Sequence, residues 1–277
     1  VYLQCNGYGP DGPGALRPST HPIPGAAMGG VLYQMGERVP NELQDMAGLR
    51  RWTRRLMRAN EVNPDPNTAM VITTAATLGL ATRQRTGMGQ KIMVDMFGAN
   101  AQANHDDFLS YPGKNDRAMP DELLLGLSPT YRLYPCAEDS WVFLALVTDA
   151  DRTKFEGALE EAGLEAPATA QLADAGPETI ELLTALFAQK PADDWQQLFA
   201  AAGVGCLRAD GLLPSSFWLK NEQVSALGLT AAVEHPEWGS YRRHGPLLHF
   251  DGLAPDLKPP PLAGQHNDEL LRQLGET

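Results

Sequence analysis

The chain has few cysteines, no long apolar run and few basic residues, and each shortage removes a class of protein. Its 277 residues include three cysteines that lie far apart, so neither a disulfide framework nor a metal-ligand spacing is indicated. No apolar stretch approaches the roughly 20 residues that cross a bilayer, and no secretory signal is visible. We therefore expect no membrane partner, no metal, and a reducing, cytoplasmic location.

The net charge of −12 makes nucleic acid an unsuitable partner, because phosphate neutralisation needs clustered Lys and Arg. The one concentrated basic stretch, RRWTRRLMR, lies within residues 42–59. Its apolar residues recur at helical spacing, which predicts a helix with a solvated basic face. A phosphate-binding role for this stretch is the less favoured alternative.

The composition and residue pattern of the sequence change along the chain, and these changes predict three parts. Residues 1–127 read as part of a large α/β domain. Residues 128–210 read as a small α+β domain, in which a hairpin over 131–147 precedes helices near 150–162, 177–189 and 192–202. Residues 211–277 are rich in Pro and Gly and read as a return segment that packs on the large domain. Because the chain begins with Val1 and its first residues already read as a strand, we expect it to be part of a longer polypeptide.

Two helix ends carry recognisable capping signals. Thr68 is predicted to cap a long helix that ends near Thr86, with Gly87 beyond its last turn. A strand is predicted to follow from Gln90, with alternating apolar residues. In the last helix, Asn267 is the predicted cap, Gly275 the stop, and the inward-facing residues are Leu270, Leu271 and Leu274.

Residues Gly7 to Gly12 match G-x-G-x-x-G behind a strand, a pattern typical of dinucleotide-binding loops. The pattern requires a helix directly behind it, whose N-terminus faces the pyrophosphate. Pro10, Pro13 and Pro18 prevent such a helix, so we reject this interpretation.

Several blocks, in order along the chain, resemble the CoA-transferase family III, which includes formyl-CoA transferase, carnitine CoA-transferase and α-methylacyl-CoA racemase. TTAATLGLATRQRTGMGQKIMVDMF resembles the family's "AR.RTG.GQ.V.V.M". CNGYGPDGPGALRPSTHPIPGAAMGG resembles "SGYG..GP...RPGFD...QA.SG". SPTYRLYPCAEDSWVFLALV resembles the small-domain entry "YR.Y...DGW..IA", and PPPLAGQHNDELLRQLG resembles the closing "P.LGEHT.EVL.ELG".

The resemblance implies an α/β fold of the family III type that lacks its first nucleotide-binding segment and carries a smaller α+β domain. It implies a CoA-transferase, with coenzyme A or acyl-CoA and a carboxylic acid as substrates. It also implies an interlocked homodimer or a fused second half, since some members are tandem fusions.

Laying the motifs together implies that His21 occupies the position of the family's catalytic Asp. In the transferases that Asp attacks the acyl-CoA carbonyl, giving a mixed anhydride and then an aspartyl-CoA thioester. An imidazole would form an acyl-imidazole instead, or serve as a general base. In the stretch LLLGLSPTY, which matches the family's glycine loop over the active site, only Gly126 remains, and the leucines indicate a packed or shortened loop.

Three functions stay open at this point. The first is an acyl-CoA transferase, or a portion of one, that moves CoA between carboxylic acids. The second is a non-catalytic structural half of a tandem CoA-transferase. The third is a CoA-ester racemase or isomerase that uses His21 as its base.

Overall fold

The computed structural model describes residues 1–19, 26–29, 35, 40, 42, 45–58, 64–173 and 176–275. The chain divides into two compact units, Val1–Arg208 and Ala209–Thr277. Helices and sheets are both present, so the expected α/β class is confirmed. The three-part division with boundaries after 127 and 210 remains a prediction.

A parallel pair of strands opens the first unit. Strand β1 (Tyr2–Asn6) pairs in parallel with β2 (Lys91–Asp95), and helices α1 (Met46–Arg58) and α2 (Pro64–Thr86) lie between them in the chain. Helix α3 (Met96–Ala103) begins directly after β2. Gly79 lets α2 approach the strands, because a methyl group there would lie 2.6 Å from Cδ1 of Ile92. The same methyl group would lie 3.1 Å from Cγ1 of Val1, so the helix packs closely where both strands begin.

The predicted start of α2 at Thr68 is wrong. The helix begins at Pro64, and Thr68 is a buried residue of its second turn. Proline is well suited to the first helical turn, where no intrahelical N–H bond is lost, and it overrides the capping signal of Thr68. The C-terminal end is as predicted, since Gly87 has φ +74° and donates its N–H to the carbonyl of Arg83.

A 3-10 helix (His105–Phe108) follows α3, and an antiparallel sheet with four further helices follows in the described part of the first unit. The sheet order is β3 (Gly126–Ser128), β4 (Tyr131–Pro135), β5 (Trp141–Ala145), β6 (Gly205–Arg208). The helices are α4 (Asp149–Glu161), α5 (Thr169–Leu172), α6 (Pro177–Phe187) and α7 (Ala192–Ala201). The predicted hairpin and three helices are confirmed, whereas the short elements β3, β6 and α5 were not predicted.

Aromatic rings fill the core between this sheet and its helices. Phe187 contacts Tyr134, Phe155 and Trp195, and it also packs edge-on against Phe199. The polar ends of two of these rings are satisfied by backbone carbonyls, because the Trp195 indole donates to Phe187 and the Tyr134 hydroxyl donates to Pro129. Cys206 lies in the same core.

The second unit is built from short elements. They are α8 (Pro214–Lys220), α9 (Glu222–Ala226), the antiparallel hairpin of β7 (Thr230–His235) and β8 (Gly239–His244), and α10 (Asn267–Leu274). The inward orientation predicted for three leucines of α10 is wrong, since Leu270, Leu271 and Leu274 are all exposed. Asn267 is the first helical residue and not the cap, which is His266. The amphipathic pattern gave α10 an apolar face, but no described residue buries it.

None of the helices in the described part of the chain is both long and apolar enough to cross a bilayer.

Candidate active site

The two parallel strands end side by side, and this edge carries polar residues. In the register of the pair, Asn6 lies opposite Asp95, and both are the last residues of their strands. In open parallel sheets, ligands bind outside the carboxyl ends of the strands, where loops and helix starts meet. The edge formed by Asn6 and Asp95 is therefore the place in this unit where a substrate site is expected.

The loop that follows β1 returns to the start of α3. The side-chain oxygen of Asn6 accepts the N–H of Gly9 at 2.8 Å and closes the first turn of the loop. Gly9 has φ +90°, a conformation that side-chain-bearing residues rarely adopt. The Tyr8 ring packs edge-on against Phe97 at 4.9 Å between centroids. Asn6 and Gly9, the second of which belongs to the GYGPDG stretch, thus close a tight turn.

The end of the same loop also contacts α3. Ser19 donates its hydroxyl to the sulfur of Met96 at 3.8 Å, although the two residues are 77 positions apart. Ser19 is the last described residue before His21, which lies outside the described residues. The structure therefore does not test the role of His21, which remains a hypothesis.

Asp95 is the carboxylate of this edge. It caps α3 from an extended conformation, and its Oδ1 accepts the N–H of Gly98 at 2.7 Å. A methyl group built on Gly9 would lie 3.9 Å from Oδ2 of Asp95, so the loop backbone passes directly beside the second oxygen. Sequence reasoning did not single out Asp95, although an Asp between a strand and a helix is a common capping signal.

Cys5 lies one residue before the edge and is not a strong candidate nucleophile. Partial burial raises the pKa of its thiol, and the negative charges of Asp95 and then Asp65 raise it further. Thiol reactivity depends on the thiolate, which a raised pKa disfavours. A reactive thiolate at Cys5 is therefore disfavoured.

Gly126 is the first residue of β3 and packs against β4. A Cβ atom at this position would lie 2.1 Å from Cβ of Arg132 and 2.4 Å from the carbonyl oxygen of Tyr131. A glycine is therefore required here by the close approach of two strands. The correspondence of Gly126 with the family's glycine loop is untested and stays a prediction.

Residues 121–126 form a segment that we call the strap, and arginines hold it in place on both sides. Arg132 of β4 pairs with Asp121 at 3.1 Å, and only 8% of the Arg132 side chain is exposed. On the other side, Arg51 of α1 pairs with Glu122, also at 3.1 Å. Within the strap, Leu124 adopts φ +57°, which is uncommon for a residue other than glycine.

Arg55 corrects the prediction that the basic face of α1 is solvated. It is 5% exposed, and its guanidinium donates to the carbonyls of Met35 at 2.7 Å and Glu122 at 2.9 Å. It also lies over the ring of Trp52, which is itself buried. A planar guanidinium with several donors suits such a bridge between segments. Arg55 is consequently engaged with the protein itself, and a phosphate-binding role does not fit it.

Among the residues that the structure describes, no group of three His, Cys, Asp or Glu side chains is arranged to hold a metal ion. His235 is buried, stacks on Trp238, and accepts N–H bonds from Glu237 and Trp238 on Nδ1. These contacts account for its position in the β7–β8 turn without any ligand.

Comparison with known proteins gives the family. The model of CoA-transferase family III matches residues 1–267, and the chain therefore belongs to that family. Among curated proteins, the mouse succinyl-CoA:glutarate CoA-transferase is 29% identical over 98 residues, which are 35% of this chain and 22% of that protein. This match thus spans about a fifth of the mouse protein's length.

Solved structures show the same fold. A mutant of Rv3272 from Mycobacterium tuberculosis superposes with a TM-score of 0.64 at 16% identity, over 98% of this chain and 67% of that one. A CAIB/BAIF family protein from Brucella suis gives 0.63 at 19% identity, over 99% of this chain and 68% of that one. At such identities the likeness establishes the fold alone. The chain spans about two thirds of each of these proteins.

Proposed function

We propose that this chain is the C-terminal portion of an acyl-CoA transferase that moves CoA from one carboxylic acid to another. The observation that supports this proposal most strongly is the family match over residues 1–267. The arrangement at the strand edge agrees with it, because a polar edge covered by a glycine-containing loop is suited to hold a carboxylic substrate beside a protein carboxylate.

The partners proposed are an acyl-CoA and a free carboxylic acid. The net charge of −12 fits poorly with a strongly anionic cofactor, so cations for the CoA phosphates are expected from a second chain or a fused second half. An interlocked homodimer or a tandem fusion would each supply them. We also propose a cytoplasmic location.

Transfer is tested directly on the full-length protein. Purified enzyme is incubated with succinyl-CoA and glutarate, the pair named for the mouse relative, and then with a panel of other acyl-CoA and acid pairs. Separation of the CoA esters should reveal a new acyl-CoA, while the total of CoA esters is conserved and little free CoA appears. Hydrolysis to free CoA, or no new ester with any pair, would contradict the proposal.

His21 is tested in the same assay. A catalytic His21 predicts that His21→Ala loses most of the transfer rate, on the order of 100-fold or more. Turnover equal to that of the unmodified protein would remove His21 from the reaction. His21→Asp is the informative partner variant, because it restores the residue that the family motif carries at this position.

A second candidate is a non-catalytic half within a tandem CoA-transferase. It is favoured by the His at position 21 and by the fact that the chain spans about two thirds of its structural neighbours. This function predicts that transfer in the full-length protein survives every substitution in this chain that leaves the fold intact.

A racemase would instead exchange the α-hydrogen of an acyl-CoA for deuterium in heavy water, and absence of exchange would exclude it.

A further inference from the structure

We propose that the second unit, Ala209–Thr277, carries a binding site for a small carboxylic acid with an apolar body. The site is a pocket between α8 and the hairpin of β7 and β8. It lies within one unit of the chain, and the inference does not depend on the proposed transfer of CoA.

The pocket has the size of a small-molecule site. Its volume is about 420 Å³, within the range of roughly 300–1,000 Å³ that is usual for ligand pockets. The apolar part of its lining comes from α8, the start of the hairpin and the segment after β8: Trp218, Leu219, Leu229 and Leu247. Trp218 and Leu247 are exposed, so a ligand reaches this apolar wall from solvent.

Contacts within the protein hold the walls of the pocket in place. Thr230 of β7 donates its hydroxyl to the carbonyl of Trp218 at 2.7 Å, which ties α8 to the hairpin. Gly245 donates its N–H to the carbonyl of Leu229 at 2.8 Å. A Cβ atom at Gly245 would lie 1.9 Å from the carbonyl oxygen of Gly228, so the chain after β8 packs tightly against the segment before β7. The pocket is therefore formed without a ligand, as most ligand pockets are.

The polar part of the lining is cationic. Arg242, Arg243 and His244, the last three residues of β8, all line the pocket, and its described lining includes no Asp or Glu. This composition contrasts with the chain as a whole, which has 34 acidic residues and a net charge of −12. A cleft lined by charge of one sign with apolar walls concentrates ions of the opposite sign. The pocket is accordingly complementary to an anion.

The two arginines differ in how they are engaged. Arg243 donates to the carbonyl of Lys258 at 2.6 Å and to Nε2 of His244 at 3.4 Å, because a guanidinium has donors only. In the part of the chain that the structure describes, neither arginine pairs with a carboxylate, and Arg242 has no hydrogen-bond partner. Ala232, which lies opposite Arg242 in the hairpin, is too small to cover it. Arg242 thus keeps its N–H donors for a ligand.

The lining as a whole favours a carboxylate over a phosphate. An apolar wall beside a cationic strand end suits a ligand with an apolar body and one anionic head. A planar guanidinium binds a planar carboxylate through two parallel N–H···O bonds. Inorganic phosphate has no apolar surface to bury, so the wall contributes nothing to its binding. Octanoate and naphthoate have the required composition and serve as probes.

Binding is measured on the full chain by isothermal titration calorimetry. We expect octanoate and naphthoate to bind with dissociation constants of ~1 mM or tighter. Octanamide has the same apolar body without the charge, and it should bind roughly tenfold more weakly, because a charge-assisted hydrogen bond contributes about that factor. Inorganic phosphate should bind more weakly than octanoate.

Two variants locate the bound acid. Arg242→Gln and Trp218→Ala replace exposed side chains, so both proteins are expected to melt like the unmodified one, and the Trp218 carbonyl that Thr230 contacts is retained. Arg242→Gln should weaken octanoate roughly tenfold and octanamide little, whereas Trp218→Ala should weaken both. Arg85→Gln is the matched control, because it removes an exposed arginine of the first unit and should change neither affinity.

The proposal is overturned if neither acid gives a heat of binding at millimolar concentration, or if octanamide or phosphate binds as tightly as octanoate. It is also overturned if octanoate binds equally to the unmodified protein, to Arg242→Gln and to Trp218→Ala, since the acid then lies elsewhere. None of these results bears on the proposed function, which is judged by the formation of a new acyl-CoA.

Discussion

Replacement of Arg55 by methionine should destabilise the first unit strongly. Met preserves most of the length and the apolar stem of the side chain but removes the guanidinium. In the native protein that group donates to the carbonyl of Met35 at 2.7 Å and to that of Glu122 at 2.9 Å. The substitution leaves both carbonyls without this donor, and the one at Met35 lies in buried surroundings.

The magnitude follows from these contacts. A hydrogen bond from a charged donor contributes about 1.5–3 kcal/mol, so the two together amount to roughly 3–6 kcal/mol. The cation–π contact with Trp52 adds about 0.5–1 kcal/mol. We therefore expect the free energy of unfolding to fall by several kcal/mol. By contrast, Arg51→Ala removes a largely exposed pair with Glu122 and should cost below about 1 kcal/mol.

The assay combines urea unfolding with hydrogen exchange at the strap. The amides of Asp121 and Leu125 are protected by bonds within the strap, to the Gly126 carbonyl and to the Asp121 carboxylate. Their exchange should accelerate in Arg55→Met, because α1 no longer holds the Glu122 carbonyl. Arg50→Ala, an exposed arginine of the same helix, is the control and should change stability by no more than about 0.5 kcal/mol. The reasoning is refuted if Arg55→Met and Arg50→Ala give the same free energy of unfolding and the same exchange rates at the strap.

Three further predictions concern backbone packing, helix capping and thiol chemistry. Gly126→Ala should lower the melting temperature markedly, at a cost of at least about 1–3 kcal/mol, since its Cβ would overlap Arg132; an unchanged melting curve would contradict the packing described. Hydrogen bonds from Thr148 hold the pKa of Asp151 below its usual value, so its stabilisation of α4 is present above the unfolded-state pKa and is lost as the pH falls through the folded-state pKa; Asp151→Asn should flatten this acid dependence in unfolding experiments. Burial raises the pKa of Cys206 to about 12, so iodoacetamide at pH 8 should leave it unmodified in the native protein, and its rapid labelling would show that this core opens.

The elements that could be predicted from the sequence are those whose signals are local. Helices α4 and α6 have clear start signals at Thr148 and Pro177, and glycine ends α7. Such signals act within one turn and do not depend on the rest of the fold. The short strands β3 and β6 depend on pairing with distant strands, and three or four residues carry too little pattern to be recognised.

Errors arose where tertiary contacts decide what a side chain does. The basic pattern of α1 reads as a solvated face, yet Arg55 of that face is buried because carbonyls of two distant segments surround it. Leu271 lies on an amphipathic helix and is nevertheless exposed. Periodicity defines a face of a helix, but only the remainder of the structure determines whether that face is covered.

The candidate site illustrates the same limit more sharply. The sequence resemblance directs attention to His21, a single position within one motif. Asp95 belongs to a different motif, and the chain alone gives no reason to connect the two stretches. The contact of Ser19 with Met96 makes that connection across 77 residues, and the parallel register makes it again between Asn6 and Asp95. The sequence shows the capping role of Asp95, but only the fold places this carboxylate beside the loop that follows β1.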